Sequence, residues 1–367
     1  MGLLVNLPQT GGQERTLQLN FGVEAVAAFL PAEWHQQTLV QLTWPHKNTD
    51  WAEMLEEVED CYIRLATEIA SRQHLLIVTP EPERIKALLS GKIDSNRLHF
   101  FECLTNDTWA RDHAFITMIT EQGPMFLDFC FNGWGMKFAA NFDNQINRRL
   151  FASEILTGAY RNCLDFVLEG GSIESDGRGT LLTTSTCLLA PNRNETLNRV
   201  DIENYLKSVF HLEQILWLDY GYLAGDDTDN HIDTLVRLCP NDTIVYVQCI
   251  DEKDEHFEEL RKMEEQLKTF RTLDGKPYNL LPLPMADAII ENGERLPATY
   301  ANFLIMNETI LYPTYRQPKH DACAADVLSK AFPKYEIVGI DCSALIKQHG
   351  SLHCVTMQYP AGSFIDK

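Results

Sequence analysis

Residues 231–284 read HIDTLVRLCPNDTIVYVQCIDEKDEHFEELRKMEEQLKTFRTLDGKPYNLLPLP. Two runs rich in β-branched residues, 231–238 and 243–250, flank a Pro-Asn-Asp sequence whose residue types favour a tight turn. The charged segment 252–270 repeats its apolar residues with a helical period, and a short apolar run follows at 279–283. The stretch therefore predicts a hairpin, a helix and a third strand.

The same order of elements recurs along the chain. Further copies cover 115–167, 171–218 (with a return strand at 181–189) and 301–340. A fifth copy starts with one strand at 38–44, and its missing partner is expected at 353–358, near the other end of the chain. Five units joined at the chain ends predict an α/β fold: a fivefold pseudosymmetric α/β propeller of ββαβ units. We expect residues 1–367 to form a single domain. The rival architecture, a doubly wound parallel sheet, predicts single rather than paired strands between helices.

The charge balance excludes some partners. The chain has 31 basic and 52 acidic side chains, a net charge of −21, so its field repels nucleic acid and attracts cations. Residues 1–12 lack the features of an export signal, and no stretch approaches the roughly 18 uninterrupted apolar residues that span a membrane. The ten cysteines form no CxxC pair. We therefore expect a cytoplasmic protein with reduced cysteines and neither membrane nor nucleic-acid partners.

Polar runs stand just before, or at the start of, the first strand of several units. These are Trp109–Asp112, Glu169–Gly171, His231–Asp233 and His353-Cys354. In a ring, equivalent ends of the units converge, so these runs are expected to meet in one central pocket. His231 and Asp233, two apart on an expected strand, would point to the same face. A thiol, an imidazole and carboxylates together suit nucleophilic attack on a guanidinium carbon.

Each of these signals also has a simpler interpretation. A lone cysteine is more often buried packing, and His231 with Asp233 fits a polar pair or two metal ligands. Gly170-Gly171 fits a turn that needs positive φ. The acidic run Asp226–Asp229 resembles the start of a calcium loop, but it lacks the glycine and the glutamate that an EF-hand requires. Tryptophans such as Trp109 and Trp134 are more often core packing than ligand-stacking residues.

The order of the runs is more specific than any one of them. It resembles the agmatine deiminase family, which belongs with the bacterial peptidylarginine-deiminase-like enzymes of the pentein, or guanidino-group-modifying, superfamily. The matching runs are PAEW (31–34), TWPH (43–46), NDTWARD (106–112), FNGWG (131–135), EGGSIESDGRGT (169–180), DDTDNHID (226–233) and GSLHCVTMQ (350–358). The resemblance covers nearly the whole chain, and it too implies a fivefold ββαβ propeller.

The resemblance also implies roles for eight residues. Cys354 is the expected nucleophile, His231 the general acid and base, and Glu169 the carboxylate that orients His231. The other five are expected to bind the substrate: Asp112 and Asp233 clamp the guanidinium, Trp109 and Trp134 line the site, and Asp227 lies near the distal amine. Neither a metal nor an organic cofactor is needed. The expected partner is a small cationic guanidino substrate, with a homodimer as the family-level expectation.

The implied reaction is hydrolysis of agmatine to N-carbamoylputrescine and ammonia through a covalent cysteine intermediate, in putrescine and polyamine biosynthesis. The acidic run and net charge favour agmatine over arginine, whose carboxylate would need a cationic partner. The alternatives are deimination of peptidyl or free arginine, amidino transfer, a metal-dependent hydrolase and a catalytically silent polyamine-binding propeller.

Three departures from the family pattern alter loops beside the expected site. His113-Ala114 replaces the usual Gly-Pro after Arg-Asp, Asn230 replaces the Gly before the His, and Gln348–Ser351 replaces a Gly-rich run. His113 and His349 are therefore expected to affect the pocket or its pH dependence. Asn tolerates positive φ better than other non-glycine residues, so Asn230 is expected to preserve its turn.

Overall fold

The computed structural model describes residues 28–364, so the N-terminal stretch 1–12 and the ends of the expected 1–367 domain lie outside it. Among the helices of the described part, none is long and apolar enough to cross a membrane.

The first unit places two helices between three parallel strands. Its elements are β1 (Gln37–Thr43), α1 (Leu55–Ala70), β2 (His74–Thr79), α2 (Pro82–Leu89) and β3 (Leu98–Glu102). Helix α1 buries Val58, Tyr62, Leu65 and Ile69, which recur at helical spacing and pack against the sheet. The strand β3, parallel to β2, was not predicted; it extends this sheet beyond the three strands of the repeat.

The second and third units follow the predicted order of hairpin, helix and parallel strand. Their elements are α3 (Ala110–His113), β4 (Ile116–Thr120), β5 (Gly123–Cys130), α4 (Gly133–Met136), α5 (Asp143–Ala152), β6 (Ala159–Val167), β7 (Ile173–Ser175), β8 (Thr180–Thr184), α6 (Ser185–Leu188), α7 (Arg199–Phe210) and β9 (Gln214–Leu218). The predicted return strand at 181–189 is too long. It ends at Thr184, whose hydroxyl accepts a hydrogen bond from the backbone N–H of Cys187 and starts α6.

The last two units and the C-terminal strand complete the fold. Their elements are β10 (Val236–Cys239), β11 (Thr243–Gln248), α8 (Phe257–Leu267), β12 (Asn279–Pro284), β13 (Ile290–Glu291), β14 (Glu294–Arg295), β15 (Leu304–Met306), β16 (Thr309–Thr314), α9 (Pro318–Ala331), β17 (Glu336–Asp341) and β18 (Thr356–Pro360). Strand β18 pairs antiparallel with β1, which confirms that the two ends of the chain complete one unit.

The prediction that His231 and Asp233 lie on a strand is wrong. They belong to a tight 3₁₀ turn at Ile232–Thr234, and β10 starts only at Val236. Local hydrogen bonds explain the turn: the Thr228 hydroxyl accepts from the His231 N–H (3.1 Å), and the Thr234 hydroxyl donates to the His231 carbonyl (2.8 Å). Such bonds compete with a strand ladder.

The described strands form five sheets of three or four strands and a two-stranded ribbon, which confirms the α/β class. Hydrogen bonds do not join these sheets into one closed barrel within residues 28–364. Apolar side chains fill the space between the sheets and the helices. Short turns precede the first strand of each unit, and they carry the polar residues of the candidate site.

Candidate active site

A cavity of about 340 Å³ contains the thiol of Cys354. Among the described residues that line it, none is Lys or Arg. Its lining includes five carboxylates and five of the eight predicted site residues: Asp50, Asp107, Trp109, Asp112, Trp134, Asp226, Asp227 and Cys354. The cavity therefore favours a cationic ligand, and Trp109 and Trp134 add apolar surface to its walls.

Three predicted residues converge at the backbone of Gly171. A methyl group at this position would lie 2.7 Å from both Asp112 Oδ1 and His231 Nδ1, and 3.2 Å from Asp233 Oδ2. Gly171 does not have positive φ. The interpretation of Gly170-Gly171 as a positive-φ turn is therefore wrong. Glycine is needed at position 171 because Asp112 and His231 lie too close to its backbone for a side chain to fit. At Gly170 the close neighbour is the Arg111 carbonyl, 2.4 Å from an added methyl group.

Asp112 is buried and bound on both oxygens. Its Oδ2 accepts from the Trp134 indole N–H (2.9 Å), and its Oδ1 accepts from the Gly171 N–H (3.1 Å). Burial raises the pKa of Asp112 to about 6, against the opposing charge of His231, whose Nδ1 lies 3.6 Å away. A cation beside Asp112 would favour its ionised form.

His231 is also buried. Burial alone would lower the pKa of its imidazole, but Asp112, Cys187 and Glu169 outweigh burial and raise the pKa well above its usual value. The raised pKa favours the imidazolium form of His231, which can donate a proton to a leaving group.

Glu169 was predicted to orient His231, but its hydrogen bonds go elsewhere. Both carboxylate oxygens accept from Arg193 Nε, at 2.9 and 3.2 Å. Arg193 also donates to Asp229 Oδ2 (2.6 Å) and to the Thr228 carbonyl (2.8 Å). Arg193 thus ties Glu169 to the acidic run, while Glu169 contributes negative charge near His231.

Glu169, Cys187 and His231 offer three buried ligand atoms within 4.8 Å of one another. These are donor types that zinc accepts. The guanidinium of Arg193, 2.9 Å from Glu169, already neutralises the carboxylate and would repel a metal cation. The interpretation of His231 and Asp233 as a ligand pair also loses support, because Asp233 Oδ2 instead contacts His353 Nδ1 at 2.7 Å.

Asp233 is fully buried and holds one oxygen free. Its Oδ1 has no hydrogen-bond partner among the described residues. Burial would raise the pKa of Asp233, but the hydrogen bond and charge of His353, together with the charge of His231, hold it below its usual value. Asp233 is therefore a carboxylate with an unused acceptor.

Cys354 is positioned by Asn302, which is not among the eight predicted residues. The Asn302 Oδ1 accepts from the Cys354 backbone N–H (3.3 Å) and from its thiol (3.4 Å). Burial and the charges of Asp233 and Asp112 raise the pKa of Cys354 well above its usual value. The thiol is therefore protonated in the free protein at neutral pH, and a cation between the two carboxylates would favour the thiolate.

The two tryptophans are held in different ways. Trp134 lies in a left-handed turn (φ 55, ψ 50) between two glycines, which aims its indole N–H at Asp112. Trp109 packs directly over Gly350, where a methyl group would lie 2.1 Å from the indole ring. The glycine kept at position 350 in the altered run is therefore required by Trp109.

The acidic run is a closed loop built by its own side chains. Asp226 accepts from the Thr228 hydroxyl (2.6 Å) and the Asn230 N–H (2.8 Å), while Lys137 binds Asp229 (2.8 Å). Asp227 faces the cavity, where burial and Asp226 raise its pKa although Lys137 and His349 oppose the shift. This loop places a carboxylate beside the site.

The departures from the family pattern have separate outcomes. Asn230 has φ 63, which confirms that it preserves a left-handed turn. His349 lines the cavity and donates from Nδ1 to the Gly225 carbonyl (2.7 Å). His113 does not line that cavity; it is buried against Thr43, and burial lowers its pKa to about 3.

The structure brings all eight predicted residues into one region. Asn302 and Arg193 also belong to this region, although neither was predicted. Asn302 stands just before β15, the position at which the other units carry their polar runs, so the repeat could have identified it. Arg193 follows α6 and has no counterpart in the repeat, so no sequence pattern pointed to it.

Comparison with known proteins agrees with the resemblance. Residues 29–360 match the model of the Porphyromonas-type peptidyl-arginine deiminase family. A Marinomonas relative named "Putative agmatine deiminase" is 30% identical over 351 residues, covering 90% of this chain and 94% of its own.

Two solved structures share the mixed α/β fold. The C. jejuni agmatine deiminase with substrate bound is 38% identical, with a TM-score of 0.87 over 94% of this chain and 99% of its own. A Porphyromonas gingivalis protein titled "Putative Arginine Deiminase" is 51% identical, with a TM-score of 0.87 over 92% of this chain and 100% of its own. The chain therefore belongs to the Porphyromonas-type peptidyl-arginine deiminase family and is an enzyme that acts on C–N bonds of amidines.

Proposed function

We propose that this enzyme hydrolyses the guanidinium group of agmatine to N-carbamoylputrescine and ammonia, a step toward putrescine. The observation that carries the proposal is the cavity that joins the Cys354 thiol to five carboxylates without a lining Lys or Arg. Agmatine is cationic at both ends, so both ends suit this lining. Free arginine carries a carboxylate that would meet further carboxylates.

The guanidinium is held between Asp112 and Asp233. One oxygen of each, Asp112 Oδ1 and Asp233 Oδ2, lies close to Gly171, so the two carboxylates are neighbours. Asp233 Oδ1, which has no hydrogen-bond partner among the described residues, is left to accept from the planar N–H groups of a guanidinium. Trp109 and Trp134 confine the alkyl chain, while Asp227 faces the distal ammonium. These placements put the guanidinium carbon within reach of the Cys354 sulfur.

The reaction then proceeds in two stages. As the substrate cation enters, the thiol proton leaves to solvent, and the sulfur attacks the guanidinium carbon. The bond from carbon to one NH₂ group breaks, and His231 gives its proton to the departing ammonia, leaving an S-alkylthiouronium. Water then loses one proton to His231 and adds to the carbon. The C–S bond breaks as the added hydroxyl gives its remaining proton to the leaving sulfur, which yields the ureido product and restores the thiol.

We also infer that the five units form a fivefold ring and a single domain, since contacts run from each sheet to the next and back to the first. A ring would explain why polar turns from distant parts of the chain meet. The supporting contacts are Tyr359 with Phe126, Asp112 with Gly171, Glu174 with Arg237, Arg237 with the Phe303 carbonyl, and Asn307 with Gln37.

Peptidyl arginine is the second candidate substrate, because a second cavity beside the Cys354 cavity could hold the rest of a peptide. This second cavity, of about 280 Å³, shares Asp50, Asp107, Trp134 and Phe138 with the Cys354 cavity.

The proposed function is tested by measuring ammonia and ureido product from agmatine, free arginine and an arginine peptide. We expect kcat/KM for agmatine to exceed the others by about tenfold or more, without loss on adding a chelator. A preference for the arginine peptide would make peptidyl arginine the substrate in place of agmatine, with the same reaction at the guanidinium group. Folded protein that turns over none of the three would contradict the proposed activity.

The raised pKa of Cys354 predicts unusual alkylation behaviour. The thiolate fraction is small at pH 7 and grows about tenfold per pH unit below the pKa. Neutral chloroacetamide should therefore label Cys354 slowly at pH 7, and faster as the pH rises. Cationic chloroacetamidine should label it much faster at pH 7, because its charge lies between Asp112 and Asp233 and favours the thiolate.

Labelling can be followed by mass spectrometry of the Cys354 peptide, with each rate divided by the rate of that reagent with a free thiol. In Asp233→Asn, the advantage of the cationic reagent should shrink. Equal corrected rates for both reagents in the native enzyme would show that the carboxylates do not control the thiol.

A further inference from the structure

The PAEW run (31–34) places a carboxylate beneath the active site. Glu33 is buried, and its Oε1 accepts from the Ile305 N–H at 2.7 Å. Its Oε2 accepts from Arg237 Nη2 (2.7 Å) and lies 2.8 Å from His353 Nε2. Burial opposes ionisation, but His353, Arg237 and Arg111 lower the pKa of Glu33. Glu33 is therefore a carboxylate, which can only accept hydrogen bonds.

His353 lies between two such carboxylates. Its Nδ1 is 2.7 Å from Asp233 Oδ2, and its Nε2 is 2.8 Å from Glu33 Oε2. Because an ionised carboxylate only accepts, a ring N–H on either side can donate to the carboxylate that it faces; Arg237 Nη2 also lies 3.2 Å from Nε2. The ring is nearly inaccessible to solvent.

Other charged residues surround His353 and Glu33 in a buried cluster. Both oxygens of Glu174 accept hydrogen bonds, from Arg237 and from the Leu238 N–H, so Glu174 also counts as a carboxylate. When all six of its ionisable members are charged, the cluster contains three anions and three cations and is neutral overall. The members are Glu33, Arg111, Glu174, Asp233, Arg237 and His353.

We propose that His353, fixed by Glu33, is a positioning residue that holds Asp233 Oδ2 so that Oδ1 faces the substrate guanidinium. This inference rests on the proposed function. Asp233 Oδ1 is without a partner among the described residues, while Oδ2 is bound to His353. A carboxylate fixed at one oxygen presents the other at a constant angle, and a shift of about 1 Å in such a group can cost about 100-fold in rate.

The test compares His353→Leu with His353→Asn. Leu removes both hydrogen bonds, whereas an Asn amide can still donate to Asp233 from near the position of Nδ1. With agmatine, His353→Leu should raise KM about tenfold or more and lower kcat/KM about 100-fold, and His353→Asn should recover part of both. In a Cys354→Ser background, calorimetry should show the same order of agmatine affinities.

His256→Asn is the matched control, since His256 is another buried imidazole, 2.7 Å from Asp254, that does not line the Cys354 cavity. It should leave KM unchanged. If His353→Leu fails to fold, Glu33→Gln tests the same point. It removes one acceptor beside His353 and should therefore also raise KM for agmatine.

Two results would overturn the inference alone: folded His353→Leu with native KM and kcat, or His353→Asn equal to His353→Leu. A wild-type enzyme that neither binds nor turns over agmatine would instead overturn the proposed function, and this inference with it.

Discussion

Replacing Cys354 by Ser is expected to reduce agmatine turnover by about 10⁴-fold or more, because loss of a catalytic nucleophile leaves binding and electrostatic stabilisation alone. Agmatine binding should persist, since Asp112, Asp233 and Trp134 are unchanged. The serine hydroxyl also does not ionise beside the two carboxylates, as the Cys354 thiol can. The turnover rate is measured as ammonia released over a fixed reaction time, and calorimetry gives the dissociation constant for agmatine.

The matched control is Cys323→Ser. Cys323 is an exposed cysteine on α9, so its replacement should change neither quantity. Turnover by Cys354→Ser within about tenfold of the native rate would remove Cys354 as the nucleophile. A native protein that binds agmatine and releases no ammonia would favour the silent polyamine-binding alternative.

Much of the fold could be predicted from the sequence because the repeated unit is local. Hairpin turns and helical periods lie within each copy, so strands such as β11 and β12 lie close to their expected bounds of 243–250 and 279–283. Elements outside the repeat, such as β3, had no second copy to identify them. The pairing of β1 with β18 was predictable only because one unit lacked a strand.

The site could be predicted only where its residues follow the repeat. Asp112, Glu169, His231 and Cys354 all lie near the turn before a first strand, and the structure brings them together. The partner of a buried charge has no such regularity. Arg193 reaches Glu169 from a segment that follows α6 and takes the hydrogen bonds of its carboxylate. No sequence pattern predicts this partner, which is why the expected contact was between Glu169 and His231 alone.

Gly171→Ala is expected to lower kcat/KM for agmatine by about 100-fold or more. The added methyl group would lie 2.7 Å from Asp112 Oδ1 and from His231 Nδ1, distances that require both groups to move. The backbone of Gly171 does not have positive φ, so an Ala can adopt it without backbone strain. The cost therefore falls on the geometry of the site, where about 1 Å is enough for this loss.

Gly339→Ala separates this effect from general crowding. Gly339 lies in β17 and also lacks positive φ, and a methyl group there would lie 2.8 Å from Thr314 Cγ2, away from the Cys354 cavity. Each substitution inserts one methyl group into packed structure, at a cost of about 1–3 kcal/mol in unfolding free energy. Similar losses of stability by thermal denaturation, with activity lost only in Gly171→Ala, would show that Gly171 leaves room for catalysis. Native kcat/KM in Gly171→Ala would mean that Asp112 and His231 can move without penalty, and the fixed clamp between Asp112 and Asp233 would then be wrong.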